Sequence, residues 1–246
     1  MSNVKVIIAA AGKSKRFGGL NKAILPINGI PIIQNSVIQA AQNGYTEIGI
    51  IVNIDTYTEI ISLLGNGSRF GCNIIYFFQE QTDEYGFPVA ICQTKKWIQD
   101  KDDVIILCGD NYIVNINLKQ LHEVYTQEKH TDKILVACKN IPIEEGINYA
   151  VLEKGVIDKF HEKPSIEKIN DFKQDTGGVI AYAGPLIANK NMFKHINNLK
   201  TSERGEKEIV DVINSHKKII AHKHDGLWFD IGSEVNYINA ISEVKK

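Results

Sequence analysis

Between Val4 and Cys138, short runs rich in isoleucine and valine alternate with longer stretches of helical pattern. The runs are Val4–Ala10, Glu47–Val52, Asn73–Phe78, Val104–Cys108 and Lys133–Cys138. The helical stretches are Ile32–Asn43, Thr56–Leu64, Val89–Ile98 and Leu118–Glu128. Runs this apolar have to be covered on both faces, and parallel strands joined by crossover helices meet that requirement. The pattern predicts βαβ units and an α/β fold with a mixed, mostly parallel, Rossmann-like central sheet flanked by helices. Pro31 and Gly44 bracket one helix, and the Gly65-Asn66-Gly67 turn closes the next.

After Cys138 the alternation lapses. Tyr149–Glu153 and Val156–His161 flank Lys154-Gly155 and read as a hairpin, and Gly178–Ala183 reads as a strand. Pro185–Asn197 and Glu206–Asn214 read as helices, Lys218–His222 as a strand and Glu234–Val244 as a closing helix. No Pro/Gly/Ser linker separates the halves, so 1–246 is expected to form one domain, with a small lobe added from about residue 136.

A chain of 246 residues can bury a core without metal or disulfide staples. The 28 Lys and Arg balance 29 Asp and Glu, for a formal net charge of −1. This argues against a nucleic-acid partner and against a polybasic membrane binder. Cys72, Cys92, Cys108 and Cys138 make no CxxC or zinc pattern and read as small core residues in a reducing compartment. No apolar run is long enough to span a membrane. Lys13, Lys15 and Arg16 follow the first apolar run, the wrong order for a signal peptide, so a cytoplasmic location is expected.

The loop after the first strand carries the chemistry. Doubly wound sheets bind ligands beyond the carboxyl ends of their strands. There Ala10, Ala11 and Gly12 let the backbone approach a phosphate, and successive N–H groups can form an anion nest together with Ser14. Lys13, Lys15, Arg16 and Lys22 add four cations within ten positions. It is not a P-loop, because Ile7 stands where the first glycine is needed, and the absence of GxGxxG disfavours an NAD-binding domain. By itself the loop also reads as a solvated surface segment.

The run Ala10-Ala11-Gly12…Arg16…Lys22…Leu25-Pro26 resembles the signature of nucleoside-diphosphate-sugar pyrophosphorylases and related nucleotidyltransferases, above all glucose-1-phosphate thymidylyltransferase-like enzymes. Leu63 to Gly71, Gly109-Asp110-Asn111, Glu162-Lys163-Pro164, Thr176-Gly177, Glu203 to Ile209 and Trp228 to Gly232 follow in that family's order. The resemblance implies the nucleotide-diphospho-sugar transferase fold, with a nucleotide-binding half over about 1–135 and an acceptor-binding half over about 136–246. It makes Ala10, Ala11, Gly12, Lys13, Ser14, Lys15 and Arg16 the triphosphate loop. Arg16 and Lys22 become the catalytic cations, Arg16 on the leaving phosphates and Lys22 beside the α-phosphate or the incoming phosphate.

The same resemblance makes Asp110 and Asp230 the ligands of Mg2+, although Gly-Asp-Asn is also good turn chemistry. Asn111, Ala150, Glu162, Lys163 and Gly177 are expected at the acceptor. Gln79 or Gln81 is expected to read the base, whose backbone approach Gly86 would permit.

The implied reaction is Mg2+-dependent transfer from a nucleoside triphosphate, dTTP or UTP, to a sugar-1-phosphate. Pyrophosphate is released and an NDP-sugar for surface polysaccharide is formed. A CTP-dependent cytidylyltransferase acting on a phosphocholine-like or phospho-amino-acid-like acceptor is the alternative, and a non-catalytic nucleotide-binding module is a second. Three departures bear on substrate choice. The short Phe17 to Asn21 loop looks like that of molybdenum-cofactor guanylyltransferases, Phe87-Pro88 follows Gly86 where small residues are usual, and Ala150 replaces a glycine. The chain ends soon after Asp230, so no C-terminal regulatory site is expected. Self-association, as in relatives, is compatible with the resemblance.

Elsewhere His222 and His224 read as solvated strand residues, Trp97, Phe77 and Phe78 as core, and Met192 and Phe193 as helix packing. Glu206, Glu208 and Asp211 read as acidic residues at a helix N-terminus.

Overall fold

The computed structural model describes residues 3–12, 21–80, 84–155, 158–175 and 177–244. The first half runs β1 (Val4–Ala9), the small pair β2 (Pro26–Ile27) and β3 (Ile30–Pro31), α1 (Ile32–Gln42), β4 (Glu47–Val52), α2 (Tyr57–Leu64), β5 (Asn73–Phe78), α3 (Phe87–Cys92), β6 (Asp103–Cys108), β7 (Asn111–Val114) and α4 (Leu118–Gln127). The second half runs β8 (Lys133–Ile141), α5 (Ile143–Gly146), β9 (Ala150–Glu153), β10 (Lys159–Glu162), α6 (Ile166–Ile169), β11 (Val179–Asn189), α7 (Met192–Asn197), α8 (Ile209–Ser215), β12 (Lys218–Lys223), β13 (Leu227–Asp230) and α9 (Glu234–Val244).

Among the described residues the main sheet has nine strands, in the order β10-β9-β11-β6-β1-β4-β5, with β8 beside β11 and β12 beside β8. β1 is parallel to β4 and β6, and β4 to β5. β11 runs against both β6 and β8. β8 therefore points the same way as β1 and β6, and their carboxyl ends share one rim.

The apolar runs are buried as their composition requires. Val6, Ile8, Ile105 and Leu107 turn to one face, where Ile33, Val37 and Ala40 of α1 cover them. Ile7, Val104 and Ile106 turn to the other, against Ile91 of α3, Met192 and Phe193 of α7, and Val210 and Ile213 of α8. Gly49 leaves room for the Phe77–Trp97 ring pair, whose nearest carbons would lie within 3 Å of an added Cβ. All four cysteines are unpaired and buried or half-buried. No helix among the described residues is long and apolar enough to cross a membrane.

Four readings are corrected. Pro185–Asn197 is not one helix. β11 continues through Gly184 and Pro185 to Asn189, and only Met192–Asn197 is helical. Gly-Pro resembles a helix start, but here it sits in a bulge of the β11/β8 pairing between Tyr182 and Leu186. A missing N–H is tolerated at a bulge. Leu186, Ile187 and Ala188 beyond it are fully buried between β6 and β8.

The Val89–Ile98 helix starts earlier, at Phe87 with Pro88 in its first turn, and ends at Cys92. Phe78 is 47% exposed, because β5 is an edge strand, and its ring packs edge-on against Tyr57. His224 is half-buried, and its Nε2 donates to the Ala183 carbonyl at 2.6 Å. One pairing went unanticipated. β7 and β13 form an antiparallel ribbon outside the main sheet. It is packed with Ile27, Ile32 and α9 through Tyr112, Phe229 and Ile231.

Candidate active site

The ribbon brings two distant carboxylates together. β6 ends against β1 so closely that a Cβ on Gly109 would stand 2.6 Å from the Ala9 carbonyl oxygen. The chain then turns at Asp110 into β7, where Asn111 faces Asp230 of β13 in the ladder. Trp228 Nε1–H donates to Asn111 Oδ1 at 2.8 Å. An indole nitrogen can only donate, so the amide oxygen must face it and the NH2 must face the other way. That NH2 lies 3.3 Å from Asp110 Oδ1 and 3.5 Å from Asp230 Oδ1. Asn111 is therefore buried with its NH2 shared by the two carboxylates.

Lys22 Nζ meets Asp110 Oδ2 at 2.9 Å. Its backbone is set by Asn21, whose side chain caps the short Lys22–Ile24 turn and also donates to Glu59. Two convergent carboxylates next to a cation are a hard-oxygen donor set that fits Mg2+.

Beside this pair lies a cavity of about 390 Å3. The first half of the chain contributes Ala10, Ala11, Gly12, Lys22, Gln79, Tyr85, Gly86 and Asp110 to its wall; the second half contributes Glu162, Lys163, Arg204, Glu206 and Glu208. A second cavity, of about 800 Å3, is lined by Glu145, Tyr149, Trp228 and Asp230 among others. Lys163 lines both. Its φ is +41°, an uncommon conformation for a non-glycine residue, held by its N–H bond to the Tyr149 carbonyl at 3.0 Å.

On the wall from the second half of the chain, Arg204 reaches Glu162 at 3.1 Å and Glu208 at 3.5 Å. Burial raises the Glu162 carboxyl above its usual range; Lys163 pulls the other way and Glu208 adds to the rise.

Lys13, Ser14, Lys15, Arg16, Gln81 and Thr176 lie outside the described residues. Of the rest, Ala10, Ala11, Gly12, Gln79, Gly86, Lys22, Asp110, Glu162 and Lys163 come together at the first cavity, and Asp230 lines the second. Ala150 is buried in the β9/β10 ladder opposite Glu162, and Gly177 turns at φ +79°; neither is among the described residues that line these two cavities. Gly86 has a structural reason of its own, since its missing Cβ is replaced by the Lys207 backbone.

Tyr85, Arg204, Glu206 and Glu208 also line the first cavity and were not among the expected site residues. The helix begins only at Ile209, with Glu208 at its cap, so the macrodipole does not account for Glu206. The available signal was the Glu203 to Ile209 run itself, which falls among the motifs that carry the resemblance.

A nucleotidyl transferase family model matches residues 5–246. The low-salt glycan biosynthesis nucleotidyltransferase of Haloferax volcanii is 27% identical over 96% of this chain, which spans 65% of that relative's length. A UTP–glucose-1-phosphate uridylyltransferase of Pseudomonas aeruginosa is 26% identical over 96% of this chain and 94% of its own length. Among solved structures, a Bacillus anthracis protein assigned as a glucose-1-phosphate thymidylyltransferase, in complex with a sucrose, superposes with a TM-score of 0.82. It is 25% identical, over 99% of this chain and 96% of that one.

Proposed function

The chain belongs to the nucleotidyl transferase family, and from that premise we propose that it transfers the nucleotidyl group of dTTP or UTP to a sugar-1-phosphate, for nucleotide-sugar and glycan synthesis. The observation that carries the reading is the convergence of Asp110 and Asp230 on Asn111, beside Lys22 and the cavity. The names of the uridylyltransferase and glycan-biosynthesis relatives support the choice of substrates. Such substrates belong to the cytoplasm.

In this reading an acceptor phosphate oxygen attacks the α-phosphorus. A new P–O bond forms, the bond to the β-phosphate oxygen breaks, and pyrophosphate leaves with the electron pair. A phosphate monoester has a second pKa of about 6, so the nucleophile is already a dianion at neutral pH and no general base is required. The work left to the protein is alignment and charge.

Lys22 sits by the α-phosphate, and Arg16 takes the leaving phosphates. Lys163, between the two cavities, holds the acceptor phosphate. Glu162 accepts hydrogen bonds from sugar hydroxyls. Gln79 and Gly86 lie on the base side. Mg2+, held by Asp110 and Asp230, would supply positive charge to the triphosphate.

The test is pyrophosphate release from dTTP, UTP, CTP and GTP, each paired with glucose-1-phosphate and with phosphocholine, in Mg2+. Release with dTTP or UTP and the sugar phosphate is expected. Turnover of CTP with phosphocholine alone would replace this reading with the cytidylyltransferase. Nucleotide binding without turnover in every pair would leave a non-catalytic module.

Lys163→Gly separates strain from charge. Glycine relieves the left-handed backbone while removing the ammonium, so the variant should melt no lower than the parent. Its KM for the acceptor should rise about tenfold, the scale of one charge-assisted hydrogen bond. An unchanged KM would remove Lys163 from the acceptor site.

A further inference from the structure

At the opposite rim of the sheet, where β8 and β12 begin, three side chains from separate elements meet. Asp132 precedes β8, His195 lies on α7, and His216 follows α8. The Lys218 N–H, at the start of β12, donates to the Asp132 carbonyl and ties this corner together. One potential ligand atom from each of the three side chains lies within 4.8 Å of the others. His195 Nε2 is 2.7 Å from Asp132 Oδ1, and the two imidazole rings are 4.3 Å apart.

His216 decides what the cluster is for. It is 5% exposed, and its Nδ1–H donates to the Val212 carbonyl at 2.8 Å. That bond fixes the tautomer and leaves the Nε2 lone pair as an acceptor. This buried lone pair has no hydrogen-bond partner among the described residues. An imidazole held by its other nitrogen to a backbone carbonyl is the usual posture of a metal-ligating histidine.

We propose that Asp132, His195 and His216 form a binding site for a divalent transition-metal ion of the zinc class, distinct from the Asp110–Asp230 pair. Two imidazoles and one carboxylate suit Zn2+ or Co2+ and suit Mg2+ or Ca2+ poorly. The Asp132 and His195 side chains are 22% and 20% exposed, so an ion can enter and a water can fill the fourth position. The ion would take the place of the proton between His195 and Asp132. It would staple α7 and the end of α8 to the start of β8, far from the nucleotide cavity.

The test uses the full chain without a histidine tag. Co2+ is titrated in saturating Mg2+ and followed by visible absorption, and Zn2+ by calorimetry and thermal melting. The expected result is one equivalent of Co2+ with the intense absorption of a four-coordinate site, and a higher melting temperature with Zn2+. Asp132→Asn and His195→Gln, both partly exposed positions, should keep the fold by circular dichroism. They should lose affinity by at least about a hundred-fold, since even outer-shell changes cost ten- to a hundred-fold. Only the weak absorption of six-coordinate Co2+, or equal binding by wild type and both variants, would overturn the site and leave the Nε2 to a buried water.

Discussion

Asp110→Asn should reduce turnover about a thousand-fold, equal to about 4 kcal/mol of transition-state stabilisation, while the protein stays folded. The substitution keeps size and shape, and the new Oδ1 can still accept from the Asn111 amide that reaches this position at 3.3 Å. What changes is charge. An NH2 replaces the Oδ2 that now meets Lys22 Nζ at 2.9 Å, so donor faces donor, and the carboxylate pair loses half of its negative charge.

The stability cost should be small. Asp110's side chain is 39% exposed, and ion pairs of that kind contribute at most about 1 kcal/mol. The melting temperature should therefore move by no more than about 4 °C. Asp230→Asn should reproduce the loss, and the double variant should be little worse than the more damaged single one, because groups that hold one ion act as a unit. Pyrophosphate release at saturating Mg2+, read beside a melting curve, checks all three. Full activity in Asp110→Asn would remove the metal assignment.

The parts of this site that could be read from sequence and the parts that could not differ in a physical way. Asp110 was legible because it follows a strand, β6, that is buried on both faces, and such strands announce themselves as unbroken apolar runs. The βαβ half of the fold was legible for the same reason. Strand β11 was not, because the local preference of Gly184-Pro185 is for a turn or helix start, and only pairing with β6 and β8 overrides it. The β7/β13 ribbon joins two four-residue segments with 112 positions between them, and neither is long enough to show a period. The place of Asn111 in that ladder, with its NH2 reaching both Asp110 and Asp230, was therefore not legible. Glu206 and Glu208 carried a charge pattern that a helix dipole explains equally well in sequence; only in three dimensions do they line the first cavity, ahead of a helix that starts at Ile209.

Gly86→Ala should be strongly destabilising, by about 3 kcal/mol, for two reasons that act together. Its φ of +129° and ψ of 161° lie in a region that is essentially glycine's alone. A methyl group there would also stand 2.2 Å from the Lys207 carbonyl oxygen and 2.9 Å from the Lys207 nitrogen, which are backbone atoms that cannot swing aside. The two segments are bound where they cross. Lys207 N–H donates to the Tyr85 carbonyl at 2.8 Å, and the nearly buried Lys207 ammonium reaches Glu84 at 2.7 Å. This crossing joins the cavity wall at Tyr85 and Gly86 to the segment carrying Arg204, Glu206 and Glu208, so pushing it apart should lower activity along with stability. For a chain of this size the melting temperature should fall by about 6–12 °C, at about 2–4 °C per kcal/mol. Gly12→Ala is the matched control. An added Cβ there meets nothing within 4 Å among the described residues, so its melting temperature should hold, and any loss should appear in the KM for the triphosphate. If Gly86→Ala instead melts like the parent and changes only that KM, the glycine serves close approach to the base, and the Lys207 crossing does not hold the two halves together.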